Sequence, residues 1–176
     1  MNLAARHALS LPFFRSALLA ALPVALGIAL SPATILAGGR ELAFVKGIYE
    51  KMRQNFRDPS APMYLPFREH ASPRLHKLFQ DAQAAMAEGE PLVAYDFFMQ
   101  GNNWDPSEQL SFSETGPSSV RVAFAGTRNH PRPKGAWVEF DVACRGQHCV
   151  IEEIRDPEVG SLVRFLRETA RQAKAR

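Results

Sequence analysis

The stretch VEFDVACRGQHCVIEEI, residues 138–154, decides the fold of this chain. Apolar and polar residues alternate on both sides of a four-residue turn that lies between Cys144 and Cys149. Alternation with a period of two around a short turn predicts an antiparallel β-hairpin. The two cysteines are then opposed, and a disulfide between them would close a short loop and contribute about 2 kcal/mol to stability. The alternative is a redox-active or metal-binding thiol pair, but no second cysteine pair is present for a zinc site.

A bond between the two sulfurs also predicts the register of the hairpin, because residues whose numbers add up to 293 are then paired. Phe140 is expected to face Glu153, and Asp141 to face Glu152. Directly opposed carboxylates destabilise a sheet unless a cation lies between them. Arg121 is the expected cation if its strand is adjacent. A solvated polar face is favoured here over a calcium site, because no dedicated calcium loop is present.

The N-terminal segment has the order of a secretory signal. Arg6 and Arg15 precede an uncharged run of 22 residues, 16–37, which ends in small residues near Ala33 and Ala37. This order predicts a cleaved signal peptide over residues 1–37 and a periplasmic or extracellular protein. The alternative is an uncleaved membrane anchor, since about 20 apolar residues span a bilayer. An oxidising compartment agrees with the expected disulfide.

The remaining residues, 38–176, are predicted to form one domain, because 139 residues suffice for a sizeable core. Two of the 21 basic residues and none of the 18 acidic ones lie in the leader, so residues 38–176 carry a formal net charge of +1. Nucleic-acid binding would need a concentrated basic face, and only the C-terminal tail is locally basic. The composition therefore argues against a nucleic-acid partner.

The order of secondary structure predicts an α+β fold. Apolar residues at helical spacing indicate a helix over about 40–56. Ser72 and Pro73 are typical of a cap and a first turn, which predicts a second helix that stops near Gly89. Four period-two segments follow, and a last helix is predicted over about 158–171. We therefore expect helices packed on one face of a four-stranded antiparallel sheet.

Two segments resemble a known family. Residues 96–104, DFFMQGNNW, and residues 149–154, CVIEEI, are similar to the segments by which the exported bacterial family named domain of unknown function 3828 enters and leaves its sheet. The resemblance spans residues 42–154. It implies a nuclear-transport-factor-2-like (cystatin-like) fold, in which a curved sheet wraps a long helix around a conical cavity. The chain departs from the family pattern at Asn102 and Asn103, which are uncharged, and at Cys149, which replaces a tryptophan.

The resemblance implies a cavity that residues of this chain would line. Glu153 is the best candidate for a polar group that orients a ligand, because burial on the face of Phe140 would raise the pKa of its carboxyl. On this reading, Glu153→Leu abolishes ligand binding and leaves folding intact. In the alternative, a bulge places Glu153 at a solvated bend. The other ligand-binding candidates, whose alternative role is simply the core, are Phe98, Asn103, Trp104, Phe112, Phe124 and Phe140.

The sequence contains no recognisable catalytic motif, and it predicts neither a cofactor nor a metal. We therefore expect a non-catalytic exported binding domain that holds a small apolar ligand or an envelope protein. The alternative is a small envelope hydrolase or isomerase that uses Glu153 or Asp96 with a histidine as acid and base. The basic, proline-stiffened loop 127–134 is a candidate for docking an acidic partner or an envelope polymer, or is simply a solvated loop.

Overall fold

The computed structural model describes residues 37–58, 60–86, 92, 96–101 and 104–174. Residues 1–36 of the predicted signal peptide, the helix stop at Gly89, and Asn102 and Asn103 lie outside the described residues. Helix α1 spans Ala37–Arg57, α2 Pro66–His70, α3 Pro73–Gln83 and α4 Leu162–Lys174. The strands are β1 Leu110–Gly116, β2 Ser119–Phe124, β3 Trp137–Arg145, β4 His148–Asp156 and β5 Gly160–Ser161. In this part of the chain no helix has the length and hydrophobicity needed to cross a bilayer.

The fold is α+β, as predicted, and its sheet is antiparallel with the order β1-β2-β3-β4-β5. The expected number of four strands is wrong by one. A turn with Gly160 at φ 77° allows two more residues to pair with the end of β4, as strand β5. Helix α4 consequently starts at Leu162, four residues after the predicted start.

The helices cover one face of the sheet. Alternate residues of β2 and β3 are buried, and the α1 residues Val45, Ile48 and Tyr49 join them in the core. The predicted cap of α3 is confirmed, because the Ser72 hydroxyl accepts a hydrogen bond from the backbone N–H of Leu75 at 3.2 Å. Helix α2 was missed in the proline-rich linker, where Pro66 occupies the first helical turn that proline tolerates.

The predicted disulfide is confirmed. Cys144 and Cys149 are bonded and directly opposed, with Cα atoms 4.0 Å apart. The predicted register holds from this bond as far as Val142 and Ile151. Beyond that pair it is wrong, because a bulge leaves Glu152 without a residue opposite it on β3 and shifts β4 by one residue.

The bulge has a clear physical consequence. Asp141 pairs with Glu153 rather than with Glu152, and Phe140 pairs with Ile154 rather than with Glu153. Strict alternation would bury only one of Ile151 and Ile154, whereas both are buried here. The extra residue thus keeps two isoleucines in the core.

Candidate functional site

The aromatic residues predicted to line a cavity surround the Tyr49 ring of α1. Tyr49 packs edge-on against Phe112, Phe124 and Phe140 at ring-centroid distances of 5.7, 6.4 and 6.2 Å. Its hydroxyl donates a 2.6 Å hydrogen bond to the carbonyl of Phe98. Burial, and secondarily the charge of Asp96, raise the pKa of this phenol well above its usual value. These rings are part of the hydrophobic core. The core was the alternative role that the sequence left open for the predicted ligand-binding aromatics.

Glu153 lies where β4 meets the beginning of α4. Its carboxylate accepts hydrogen bonds from the Ser161 hydroxyl at 2.6 Å and from the backbone N–H groups of Ile154 and Val163, both at 3.0 Å. The Ser161 hydroxyl in turn accepts a bond from the N–H of Arg164. Glu153 and Ser161 thus each accept one of the N–H groups in the first turn of α4 that have no partner within the helix.

The other predicted site residues lie in different surroundings. Trp104 is partly buried and packs edge-on against Phe56, with centroids 6.1 Å apart. Asp96 accepts a hydrogen bond from the N–H of Phe98. Burial raises the pKa of the Asp96 carboxyl, although backbone hydrogen bonds from Phe98 and Met99 act to lower it. Among the described residues, neither Asp96 nor Glu153 has a histidine as a hydrogen-bond partner.

The expected carboxylate cluster on the outer sheet face is neutralised by two arginines. Arg121 binds Glu139 at 2.8 Å, as predicted for the intervening cation. Arg155, which the sequence analysis missed, pairs with both Glu139 and Asp141. Burial opposes ionisation of Asp141, but the bonds from Arg155 and Ser119 prevail and lower the pKa of its carboxyl. Within the described residues, no group of three histidine, cysteine or acidic side chains is arranged to hold a metal.

The best-defined candidate site is a surface that we call the turn–loop surface, formed by residues 96–101 and 126–134. Arg132 joins its two parts. The guanidinium donates to both carboxylate oxygens of Glu108, at 3.2 and 3.1 Å, and to the carbonyl of Gln100 at 3.0 Å. It also lies 5.0 Å from the centroid of the Phe124 ring. Because one side chain holds two segments, the surface has a defined shape.

Two further contacts hold the loop. The N–H of Gly126 donates to Glu108 at 2.8 Å, and the Thr127 hydroxyl donates to Asp105 at 2.9 Å. Gly126 has φ 72°, and a Cβ there would lie 2.8 Å from the backbone nitrogen of Arg132. Glycine is therefore required at this position, since any other residue would be strained and would clash.

The turn that faces the loop is also constrained. Gln100 has φ 48°, an uncommon value for a residue other than glycine, and its side-chain oxygen is buried without a hydrogen-bond partner among the described residues. A cleft of about 360 Å³ opens between turn and loop. It is lined by Gln100, Gly101, Asn129, His130, Pro131, Arg132 and Pro133.

Some charged residues of this surface anchor the loop, and others are exposed to solvent. Glu108 neutralises Arg132, whereas Arg128 and Lys134 are exposed and have no ion pair within the described ranges. Glu108 was missed by the sequence analysis, although an arginine between two prolines, Pro131 and Pro133, was a signal that its position is fixed. The anchored loop thus carries two exposed cations that an acidic group could contact.

A second polar cluster joins α1 to the segment that contains α2. Tyr64 and His70 share a hydrogen bond of 2.7 Å, and Lys51 pairs with Glu69 at 2.7 Å while lying 4.2 Å from the Tyr64 ring centroid. Burial raises the pKa of the Tyr64 phenol above its usual range and lowers that of His70. A cleft of about 500 Å³ adjoins Lys51, Tyr64 and Glu69. No motif in the sequence indicated this pairing.

No protein-family model, no curated protein and no solved structure matches the chain.

Proposed function

We propose that this protein is a non-catalytic binding domain that docks an acidic segment of a partner protein on the turn–loop surface. The single observation that carries the proposal is the buried Glu108–Arg132 pair, which anchors the loop and leaves Arg128 and Lys134 exposed. The anchor holds the loop that carries both cations, and a loop that is already ordered loses less conformational freedom on binding. Electrostatic complementarity of this kind gives partner specificity and faster association.

The geometry favours a protein partner over a small apolar ligand. An apolar ligand needs a cavity lined by aromatic and aliphatic side chains. Tyr49 occupies the centre of the aromatic set that the sequence offered for that purpose. The cleft of the turn–loop surface is instead lined by an amide, an imidazole, an arginine and prolines.

A binding measurement with a fluorescent glutamate-rich peptide tests the proposal. Fluorescence anisotropy at low ionic strength should show saturable binding that weakens with added salt. The double substitution Arg128→Gln with Lys134→Gln should reduce affinity by about tenfold or more, since each cation contributes a charge-assisted contact. The matched control is Arg68→Gln with Lys46→Gln, which removes two exposed charges elsewhere that likewise have no ion pair in the described part of the chain. Equal losses in both doubles, or no saturable binding, would reject the proposal.

We also propose that the domain acts in the cell envelope and belongs to the exported family that it resembles, with a sheet that curves around α1. The basic and apolar order of residues 1–37 and the Cys144–Cys149 bond support export. Fusing residues 1–37 to a periplasm-dependent reporter enzyme tests export, because the reporter is active only after translocation. An experimental structure tests the conical sheet.

A further inference from the structure

We infer that a second site, the cleft between the C-terminal half of α1 and residues 106–110, binds an oxyanion carried by a larger molecule. The cleft has a volume of about 480 Å³. It is lined by Glu50, Arg53, Arg57, Pro106, Ser107, Glu108, Gln109 and Leu110. Because this volume is in the range of small-molecule sites, the anion would be one group of a larger ligand. The inference is independent of the turn–loop surface.

Two arginines one helical turn apart supply the positive charge. Residues at i and i+4 are neighbours on a helix surface, so Arg53 and Arg57 extend over the same cleft. Neither forms an ion pair with any carboxylate in the described part of the chain. Two adjacent guanidinium groups without counter-ions repel each other and favour an anion between them.

Arg53 is held in place for this role. One of its terminal nitrogens donates a 2.6 Å hydrogen bond to the backbone carbonyl of Glu108, while its Nε is buried and has no partner among the described residues. Because the Nε is buried, a ligand in the cleft would be bound by the terminal N–H groups that the Glu108 carbonyl leaves without a partner.

The two carboxylates that line the cleft do not cancel this charge. Glu108 directs its carboxylate to Arg132 and to the N–H of Gly126. Glu50 is exposed and accepts a 3.3 Å hydrogen bond from Gln54. The cleft therefore has a local excess of positive charge, and Glu50 is the one lining group that would oppose an anion.

Both phosphate and carboxylate groups are oxyanions that could occupy this cleft. Guanidinium groups bind both in a two-pronged geometry. Titration of the oxidised full chain with inorganic phosphate and, separately, with succinate distinguishes the two sources. We expect saturable NMR shifts at α1 and residues 106–110 with at least one probe, and the tighter probe identifies the class of ligand.

Three substitutions on one helix make the test specific. Arg57→Gln should weaken binding about tenfold, because it removes a charge-assisted contact without disturbing the Arg53–Glu108 bond. Glu50→Gln should strengthen binding severalfold, because it removes the opposing charge. Lys46→Gln, an exposed charge of α1 outside the cleft, should leave affinity unchanged.

Two outcomes would overturn the inference. One is the absence of saturable shifts with either probe at low ionic strength. The other is an equal loss of affinity in the Arg57→Gln and Lys46→Gln variants, which would indicate a response to net charge alone. Melting curves of each variant separate these results from unfolding.

Discussion

Glu108 and Arg132 form an ion pair whose side chains are only 1% and 8% exposed. The N–H of Gly126 also donates to Glu108, and Arg132 also donates to the carbonyl of Gln100. Each oxygen of Glu108 and each terminal nitrogen of Arg132 therefore has a hydrogen-bond partner. A buried pair contributes little net stability compared with apolar residues, but it leaves an uncompensated charge if one partner is lost.

We therefore expect Glu108→Gln and Arg132→Gln to lower the free energy of unfolding by about 3–5 kcal/mol each. The double substitution Glu108→Gln with Arg132→Gln should lose less than the sum of the two single losses, because it leaves no buried charge without a counter-ion. Urea denaturation of the two single variants and the double variant measures the coupling. Single losses below about 1 kcal/mol would show that the pair does not anchor the loop.

The Glu153 carboxylate holds the first turn of α4, so its substitution should affect stability. We expect Glu153→Leu to reduce the free energy of unfolding by about 1–2 kcal/mol, since the N–H of Val163 loses its acceptor. Folding itself should stay intact, as the sequence predicts, with a reduced margin of stability. Urea denaturation measures the loss, with the exposed Glu158→Gln as control. Unchanged stability would assign Glu153 a role other than holding the helix.

Tyr49 fills the space between the core aromatics, so removing its ring should create a cavity. Tyr49→Ala should cost about 3–5 kcal/mol, and Tyr49→Phe about 1 kcal/mol for the lost bond to Phe98. Apolar cavities of this kind bind benzene. Benzene should therefore raise the melting temperature of Tyr49→Ala and leave that of Tyr49→Phe unchanged. A benzene effect on the unsubstituted chain would instead reveal a pre-existing cavity.

His70 should make stability depend on pH. Burial, with smaller contributions from Lys51 and His148, lowers its pKa from 6.5, and Glu69 opposes the shift. The folded state thus binds the proton less readily than the unfolded state. The stability that depends on His70 being neutral is therefore complete above about pH 6.5 and is lost as the pH falls towards the folded pKa.

Melting temperatures measured from pH 7.5 to pH 5 should decline, and His70→Gln should reduce that decline. His76→Gln is the control. An identical pH profile for the His70→Gln variant and the unsubstituted chain would contradict the assignment.

The disulfide closes a short loop, so its contribution to the free energy of unfolding is modest. Replacing Cys144 and Cys149 with serine should lower the free energy of unfolding by about 2 kcal/mol. A reductant should destabilise the unsubstituted chain by a similar amount and should not affect the double variant. Denaturation in urea with and without reductant measures both. Loss of folding on reduction would show that the bond is essential to the hairpin.

Periodicity alone predicted most elements of the fold. Helix α1, the Ser72 cap and the four long strands follow from local alternation and capping chemistry, which act between residues close in sequence. The pairing of Cys144 with Cys149 was predictable for the same reason. The candidate site was predictable only in part: loop 127–134 was identified, but its anchor, Glu108, was not.

What the tertiary structure decided depends on residues distant in sequence. The bulge at Glu152 allows Ile151 and Ile154 both to enter the core. Strict alternation along β4 would place these two residues on opposite faces of the sheet. Tyr49 and Phe98 are 49 positions apart, and Glu108 and Arg132 are 24 apart. Local forces were enough to predict α1, α3 and the four long strands, whereas the short elements α2 and β5 did not follow from local patterns. The packing of the complete chain decided which side chains fill the core and which cations remain exposed.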